Sequence, residues 1–457
     1  MSVKIAIIGA GSGTFSINLI KDLCVNRHFE GAQVTMMDIH QVRLDGVYGL
    51  CYRYVKEIGV NLHISKTMDR AEALADADFV VHVALDYGHE RLREGWELAK
   101  KNGYRFGGSL HIMHDEAFWV NFHQLRLMES VYCDIQRICP TAWMLLVANP
   151  VQAGVTYLTR KYPGAKIVGM CHGSNCAYEV ISALGYLRSE CRFQVSGVNH
   201  FVWLTELYHK DRDIYPEFAQ WIRDGKYRQY LDGKPERDRI SPLIGPKAAD
   251  LFERFGLFPI GDTASPGGGS WGWWYHKNES AYMEDPETWY AQYFEYCENN
   301  VRRIHEAVMD KDTPVSRVFS DIPSDEPMIP TIEALAFDIE HLLVVNIPNE
   351  GEFVPGVPKD YEVECLALVN KGGIAGLRMK PLPRELLAYI QRDRIAPVEM
   401  ELRAFETGNI RYLEQLVLMD PWTRSLEQAQ ALIGDILNMP CNHVMKEYFI
   451  NKKTTKN

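Results

Sequence analysis

Two side chains in this sequence could act together in one piece of chemistry, the thiol of Cys171 and the imidazole of His200. A thiolate and an imidazole together can ligate a transition metal, and a thiol alone can act as a nucleophile. The two lie 29 residues apart (200 − 171), far outside zinc-finger spacing. Each follows a short apolar run. Ile167 to Met170 stops on Cys171-His172-Gly173, and Gln194-Val-Ser-Gly-Val stops on Asn199-His200. A helical pattern resumes at Tyr178-Glu-Val-Ile. That outline is a strand feeding a helix through a short turn, where α/β enzymes carry their chemistry. Asn149 follows a third apolar run, Trp143 to Val147, and precedes Pro150. Asn149, Cys171 and His200 could therefore face one crevice across neighbouring strand ends. The competing reading is plain packing, with Cys171 a small buried hydrophobe and His200 a hydrogen-bonded core residue.

The elements that must position such a crevice begin at the N-terminus. Lys4 to Ile8 reads as a strand, followed by Gly9-Ala-Gly-Ser-Gly-Thr14 and a helical pattern through Ile17, Ile20 and Leu23. The next strand, Val34 to Asp38, ends on an acid. This is the outline of a dinucleotide fingerprint. Gly9 would make the tight turn and Gly11 would admit the pyrophosphate. Ser12 and Thr14 would stand at the mouth of a helix whose N–H groups face it. Thr14 replaces the third glycine of G-x-G-x-x-G, and Gly13 falls one place early. Asp38, 29 residues after Gly9 (38 − 9), would bond the ribose 2′-hydroxyl and so favour NAD over NADP. Arg43 works against that preference. A turn with purely structural glycines is the alternative.

Strand and helix patterns go on alternating. Leu62 to Lys66 and Asp78 to Ala84 read as strands, Ala71 to Ala75 and Phe118 to Ile138 as helices. The expected fold class is α/β: an N-terminal Rossmann-like, doubly wound parallel sheet with helices on both faces. After about residue 195 the texture changes. Val195 to Tyr208 reads as one long strand, Trp289 to Val308 as helix, His341 to Pro348 as strand, and the chain from Arg384 as mostly helical. At 457 residues two domains are expected, with 1–195 binding the dinucleotide and 196–457 forming an α+β part for substrate and oligomerisation. The net charge of −11 argues against a nucleic-acid surface. Ten scattered cysteines without a CxxC suit a reduced cytoplasmic protein. Neither a signal peptide nor an apolar run of about 18 residues is evident, so no membrane partner is expected. Asp262 precedes a Gly/Pro-rich stretch, and Trp271-Gly-Trp-Trp-Tyr275 follows it. Aromatic faces beside a carboxylate suit sugar stacking; an aromatic core cluster is the alternative.

These pieces together resemble glycoside hydrolase family 4: the Gly-x-Gly turn, Asn149-Pro150, the Cys171 turn, Asn199-His200 and Val345-Asn-Ile-Pro-Asn-Glu-Gly351. Members of that family are glycosidases dependent on NAD and a divalent metal, and the family is an exception to two-carboxylate hydrolysis. The resemblance implies that Cys171 and His200 hold the metal, usually Mn²⁺. It implies that Asn149 and Asn199 hold sugar hydroxyls, and that Gly9, Gly11 and Asp38 hold NAD. Cys171-His172-Gly173, and Asp262 within Pro259-Ile-Gly-Asp-Thr263, look like the α-glucuronidase type. The resemblance leaves two candidates for the catalytic base, Asp262 and Tyr275. An acidic sugar such as an α-glucuronide is the expected substrate, with Arg105 and His172 as candidate partners of its carboxylate. A galacturonide, a sulfonated glucose, or neutral α-glucosides and α-galactosides are the alternatives. A hydroxy-acid dehydrogenase and a non-catalytic NAD sensor would share the fold without the hydrolysis. The resemblance also implies a homodimer or homotetramer.

Overall fold

A computed structural model describes residues 2–86, 89–104, 110–113, 116–234, 242–265, 271, 286–319, 324 and 326–451. The first part alternates strand and helix: β1 Lys4–Ile8, α1 Gly13–Val25, β2 Gln33–Met37, α2 Gln41–Ile58, β3 His63–Thr67 and α3 Arg70–Leu74. It goes on through β4 Phe79–His82, α4 His89–Lys101, α5 Leu110–Met113, α6 Phe118–Ile138, β5 Trp143–Leu146, α7 Val151–Lys161, β6 Ile167–Gly169 and α8 Asn175–Ala183. The middle holds β7 Cys191–Val198, β8 Phe201–His209, β9 Arg212–Asp213, α9 Tyr215–Arg223, α10 Lys226–Asp232, α11 Pro246–Phe255, β10 Phe258–Ile260 and α12 Pro286–Met309. Then come α13 Val315–Val318, α14 Met328–Phe337, β11 His341–Pro348, β12 Glu362–Asn370 and β13 Gly373–Gly376. Five more helices follow, α15 Arg384–Ile390, α16 Ala396–Thr407, α17 Ile410–Leu418, α18 Leu426–Leu437 and α19 His443–Asn451.

All the described strands lie in one sheet. Its first six run parallel in the order β3-β2-β1-β4-β5-β6, the doubly wound order expected from the sequence. The inner strands are buried and largely apolar, with Ile5, Ile7, Val34, Val80, Val81 and Leu145 at 2% exposure or less, whereas the edge strand β3 is polar and largely exposed. Beyond β6 the sheet turns antiparallel and continues β11-β12-β7-β8-β10. The two halves of the chain therefore share a sheet, and residues 195 and 196 both fall inside β7.

The structure corrects two expectations. Val195 to Tyr208 is a hairpin, not one strand. Val198 pairs with Phe201, and Asn199-His200 form the two-residue turn, with His200 in the left-handed region at φ +59°. Both arms are apolar, so the break is silent in a hydrophobicity pattern. Second, β6 and β7 are not neighbours, since the antiparallel pair β11–β12 is inserted between them.

That insertion produces a row of paired residues across the sheet: His82, Leu146, Gly169, Asn346, Glu364 and Gly197. Gly169 is tightly enclosed. A Cβ there would lie 2.5 Å from Val151 Cγ1 and 2.8 Å from Asn346 Cβ. Gly169→Ala is therefore expected to destabilise the fold by about 1–3 kcal/mol, the usual cost of overpacking. Denaturant titration against wild type measures it.

Candidate active site

Two turns touch above the middle of this row. Gly261 opens a single 3₁₀ turn, Gly261–Thr263, with φ +53°. A Cβ on it would stand 2.8 Å from Gly173 Cα, so the two backbones are in contact. The 3₁₀ turn is fixed from below by Thr263. Its Oγ1 accepts from Val202 N–H at 2.7 Å and donates to Val202 O at 3.0 Å. Asp262 is thereby held beside the Cys171 turn, its side chain 45% exposed and its Oδ1 accepting from Ser265 Oγ at 2.7 Å.

His200, at the tip of the β7–β8 hairpin, sits between these turns and the interior. Its Nδ1 lies 2.9 Å from the buried Glu116 carboxylate, and its Nε2 lies 3.6 Å from Asp262 Oδ2. Burial works against a charge on this imidazole. The close contacts with Cys171 and Glu116, with the Glu116 charge, overcome that and hold it well above its ordinary range. Glu116 shows the converse balance: burial pushes it up, and His200, His111 and Arg394 hold it below the usual carboxylate range. The buried Arg394 guanidinium donates to His200 O at 3.3 Å and lies over the Phe201 ring at 5.3 Å. The Cys171 thiol is half-buried and receives the Gly173 N–H at 3.4 Å. Burial and the Glu364 charge raise it, opposed by His200.

Beneath lies a buried polar floor. Glu362 and Glu364 alternate along β12 onto one face. Asn199 is fully buried; its N–H donates to Glu362 at 3.2 Å and its amide Nδ2 to Glu364 at 3.0 Å. Asn346, with its amide nitrogen turned to the carboxylates, reaches Glu362 at 2.7 Å and Glu364 at 3.2 Å. Burial and the neighbouring Glu364 push Glu362 well above the usual range; burial takes Glu364 to about 7.

The other sequence candidates fall as follows. Asn149 is half-buried past β5, on the same carboxyl edge as Cys171, because β5 and β6 are parallel neighbours. His172 is two-thirds exposed, with Nδ1 3.8 Å from Glu326. Arg105 and Tyr275 lie outside the described residues. Trp271 is buried at 2% among Phe201, Trp203, Phe255 and Tyr389, so for that ring the core alternative holds. Past the carboxyl end of β1, Gly9 has φ +95°, and a Cβ there would strike Ala84 Cα at 2.4 Å. Gly11 donates to Asp38 Oδ2 at 2.8 Å and has the Arg43 side chain beside it. Ser12 precedes α1 without a capping hydrogen bond, and Thr14 is exposed in its first turn.

Comparison with known proteins turns this geometry into an identity. The profile described as family 4 glycosyl hydrolase matches residues 4–186, and its C-terminal domain matches residues 195–423. The chain belongs to glycosyl hydrolase family 4. An α-galactosidase of Bacillus subtilis is 23% identical over 95% of this chain and 96% of its own. An α-galacturonidase of the same organism is 25% identical over 95% and 97%. A 6-phospho-α-glucosidase from gut microorganisms, solved with NAD and Mn²⁺, superposes with a TM-score of 0.79 at 18% identity, covering 98% and 99%. Family membership replaces the hydroxy-acid dehydrogenase and NAD-sensor readings with a glycosidase.

The family's cofactors can be tested against these residues. No group of three His, Cys, Asp or Glu side chains suited to a metal occurs among the described residues. Cys171 and His200 make a two-residue donor set, in which a carboxylate holds Nδ1 and leaves Nε2 facing outward. That is the usual second support of a metal-bound histidine. The residues thus fit a metal completed by substrate or water oxygens. The dinucleotide fits too: Gly9 and Gly11 lack room for a Cβ, an acid follows β2, and no Ser12 side-chain cap occupies the N–H groups that open α1.

Sequence reasoning missed Glu116, Glu362, Glu364 and Arg394. For Glu362 and Glu364 a signal existed, since two carboxylates at i and i+2 interrupt an apolar strand. Glu116 had none, being one acid in a polar stretch. The raised Glu364 carboxyl has a consequence for stability. Unfolded glutamate titrates near about 4.3, so the folded chain holds the extra proton between that value and about 7. Stability from this group is present below the lower value and lost as pH rises towards the upper. Glu364→Gln removes the dependence. In metal-free protein, the melting temperature of the variant minus that of wild type is expected to grow from pH 5 to pH 7.

Proposed function

We propose that this glycosidase cleaves α-glycosides of an acidic sugar by oxidation, elimination and addition, using NAD and Mn²⁺. The observation carrying the proposal is the convergence of Cys171, His200 and Asp262 at one point, with His200 anchored by Glu116. When bound, NAD⁺ supplies a hydride acceptor for C3 and Mn²⁺ a Lewis acid that makes the C2–H removable. Cys171 and His200 would hold the metal. Asp262 is the proposed base that takes the C2 proton, its Oδ1 fixed by Ser265 and its Oδ2 facing His200. Tyr275 remains the alternative base. Loss of the C2 proton expels the aglycone from C1; water then adds there as a proton returns to C2, and the hydride returns to C3. Asn149 is the proposed partner of a sugar hydroxyl. Asn199 is given the same role, although its amide nitrogen is engaged by Glu364.

His172, two-thirds exposed, is the proposed partner of the substrate carboxylate, and Arg105 is proposed for the same role. A buried carboxylate needs a cation or several N–H donors. α-Glucuronides are the first choice, and the α-galacturonidase among the relatives supports a galacturonide as the second. Assembly as a homodimer or homotetramer and a cytoplasmic location belong to the same reading. Among the described residues, no helix is long and apolar enough to cross a membrane.

A panel of p-nitrophenyl α-glycosides and α-glycuronides, assayed with and without NAD⁺, Mn²⁺ and thiol, tests the substrate class. A higher kcat/KM for the α-glucoside than for either uronide overturns the acidic preference. Chelation is expected to abolish turnover, Mn²⁺ with reductant to restore it, and Cys171→Ser to remain inactive after the same treatment. Product formed in D₂O is expected to carry deuterium at C2, with many turnovers per NAD⁺ and no net NADH. Absence of that deuterium rules out the elimination route. Exchange that persists in Asp262→Asn but vanishes in Tyr275→Phe moves the base to Tyr275.

A further inference from the structure

Gly13 opens α1, and the space of its missing Cβ is used by the second half of the chain. Ile304 of α12 packs there, its Cδ1 2.3 Å from where a Cβ on Gly13 would stand. One turn on, Val308 Cγ2 lies 3.3 Å from the corresponding point on Gly46 of α2. Towards the other end of α12, Phe294 is buried at 3%, with the Arg93 guanidinium of α4 4.5 Å from its ring centroid. Arg93 also pairs with Glu298 at 3.3 Å. Phe294, Ile304, Ala307 and Val308 recur at helical spacing, so one face of α12 lies across α1, α2 and α4.

The carboxyl end of α12 is clamped. Arg53 of α2 donates to three carbonyls, Ala307 O at 3.1 Å, Asp310 O at 2.8 Å and Thr313 O at 2.8 Å. A guanidinium there offsets the negative end of the helix dipole and fills acceptors that would lack partners. One turn along α2, Glu57 accepts the N–H groups of Val315 at 2.8 Å and Ser316 at 3.4 Å, which open α13. Arg53 and Glu57 together fix where α12 ends, and hence where Ile304 rests.

We propose that α12 is the outer wall of the dinucleotide site and that Arg53, acting through it, is a positioning residue for NAD. The inference rests on the NAD reading above. The uncapped N–H groups of α1 attract an anion through their partial positive charge, and that attraction strengthens as water is excluded. Ile304 covers Gly13 and keeps water from one flank of this turn. Releasing Arg53 frees the end of α12, lifts Ile304 from Gly13 and wets the phosphate-binding turn. The position of Gly13, one place early for a fingerprint glycine, follows from the same contact.

NADH binding by fluorescence tests this in the full-length protein, with Mn²⁺ affinity and the unfolding midpoint measured on the same samples. Arg53→Ala is expected to weaken NADH binding by about three- to tenfold while leaving Mn²⁺ affinity unchanged. Arg53→Lys is expected to fall between it and wild type, because an ammonium cannot span three carbonyls as a guanidinium does. Ile304→Ala keeps both clamps and is expected to reproduce the NADH defect, which covers the case of an Arg53 variant that fails to fold. Unchanged NADH affinity in both alanine variants overturns the proposal. A parallel loss of NADH and Mn²⁺ affinity overturns it as well, as general loosening. Wild-type protein that binds no NADH instead refutes the functional reading on which this rests.

Discussion

Glu116 and His200 meet at 2.9 Å in surroundings where neither charge is stable alone. An isolated ion at that depth would cost several kcal/mol, so each holds the other in its charged form. The pair is also tied to the scaffold. Arg394 binds the carbonyl of His200, and Tyr361 Oη donates to the Arg394 carbonyl at 3.2 Å. Behind them, His111 lies 3.7 Å from Glu401, which accepts from Asn121 Nδ2 at 3.0 Å. Helices from both ends of the chain thus converge on one imidazole. What reaches the crevice is a single nitrogen, aimed by everything behind it.

The sheet supplies the second part of this design. A doubly wound sheet has its crevice where the strand order reverses, at the carboxyl ends of β1 and β4. This chain extends the same sheet past β6 with antiparallel strands, and so brings the β7–β8 turn into line with that edge. The inserted strands β11 and β12 bring carboxylates and an amide into a largely apolar layer. Asn346 and Asn199 bind the Glu362 and Glu364 carboxylates there, and Asn199 ties them to the hairpin that carries His200.

Much of this was legible in the sequence because it is local. The turn from Gly9 to Asp38 combines a positive-φ glycine, a helix start and a strand ending on an acid, all within one βαβ unit. Cys171 and His200 stood out because polar, reactive side chains cut short two apolar runs. The long helix Phe118–Ile138 matched its periodicity without error at either end. What stayed hidden depends on pairing between distant segments. The Asn199-His200 turn lacks the glycine that usually marks a two-residue hairpin, so its two apolar arms read as one strand. β12 went unnoticed, although Glu362 and Glu364 are unusual inside such a run. Glu116 acquires its role only from the fold, which brings it against a residue 84 positions later (200 − 116).

The contact between Gly173 and Gly261 carries an evolutionary consequence. The two turns that bear the Cys171 thiol and the Asp262 carboxylate touch backbone to backbone, with no side chain between them to trim or enlarge. Such a joint has no graded adjustments. A side chain on Gly261 would have to enter the opposing main chain, and an insertion in one turn would demand a matching change in the other. Change that keeps this contact is therefore confined to side chains around it, such as the exposed His172, while the seam beneath stays constant.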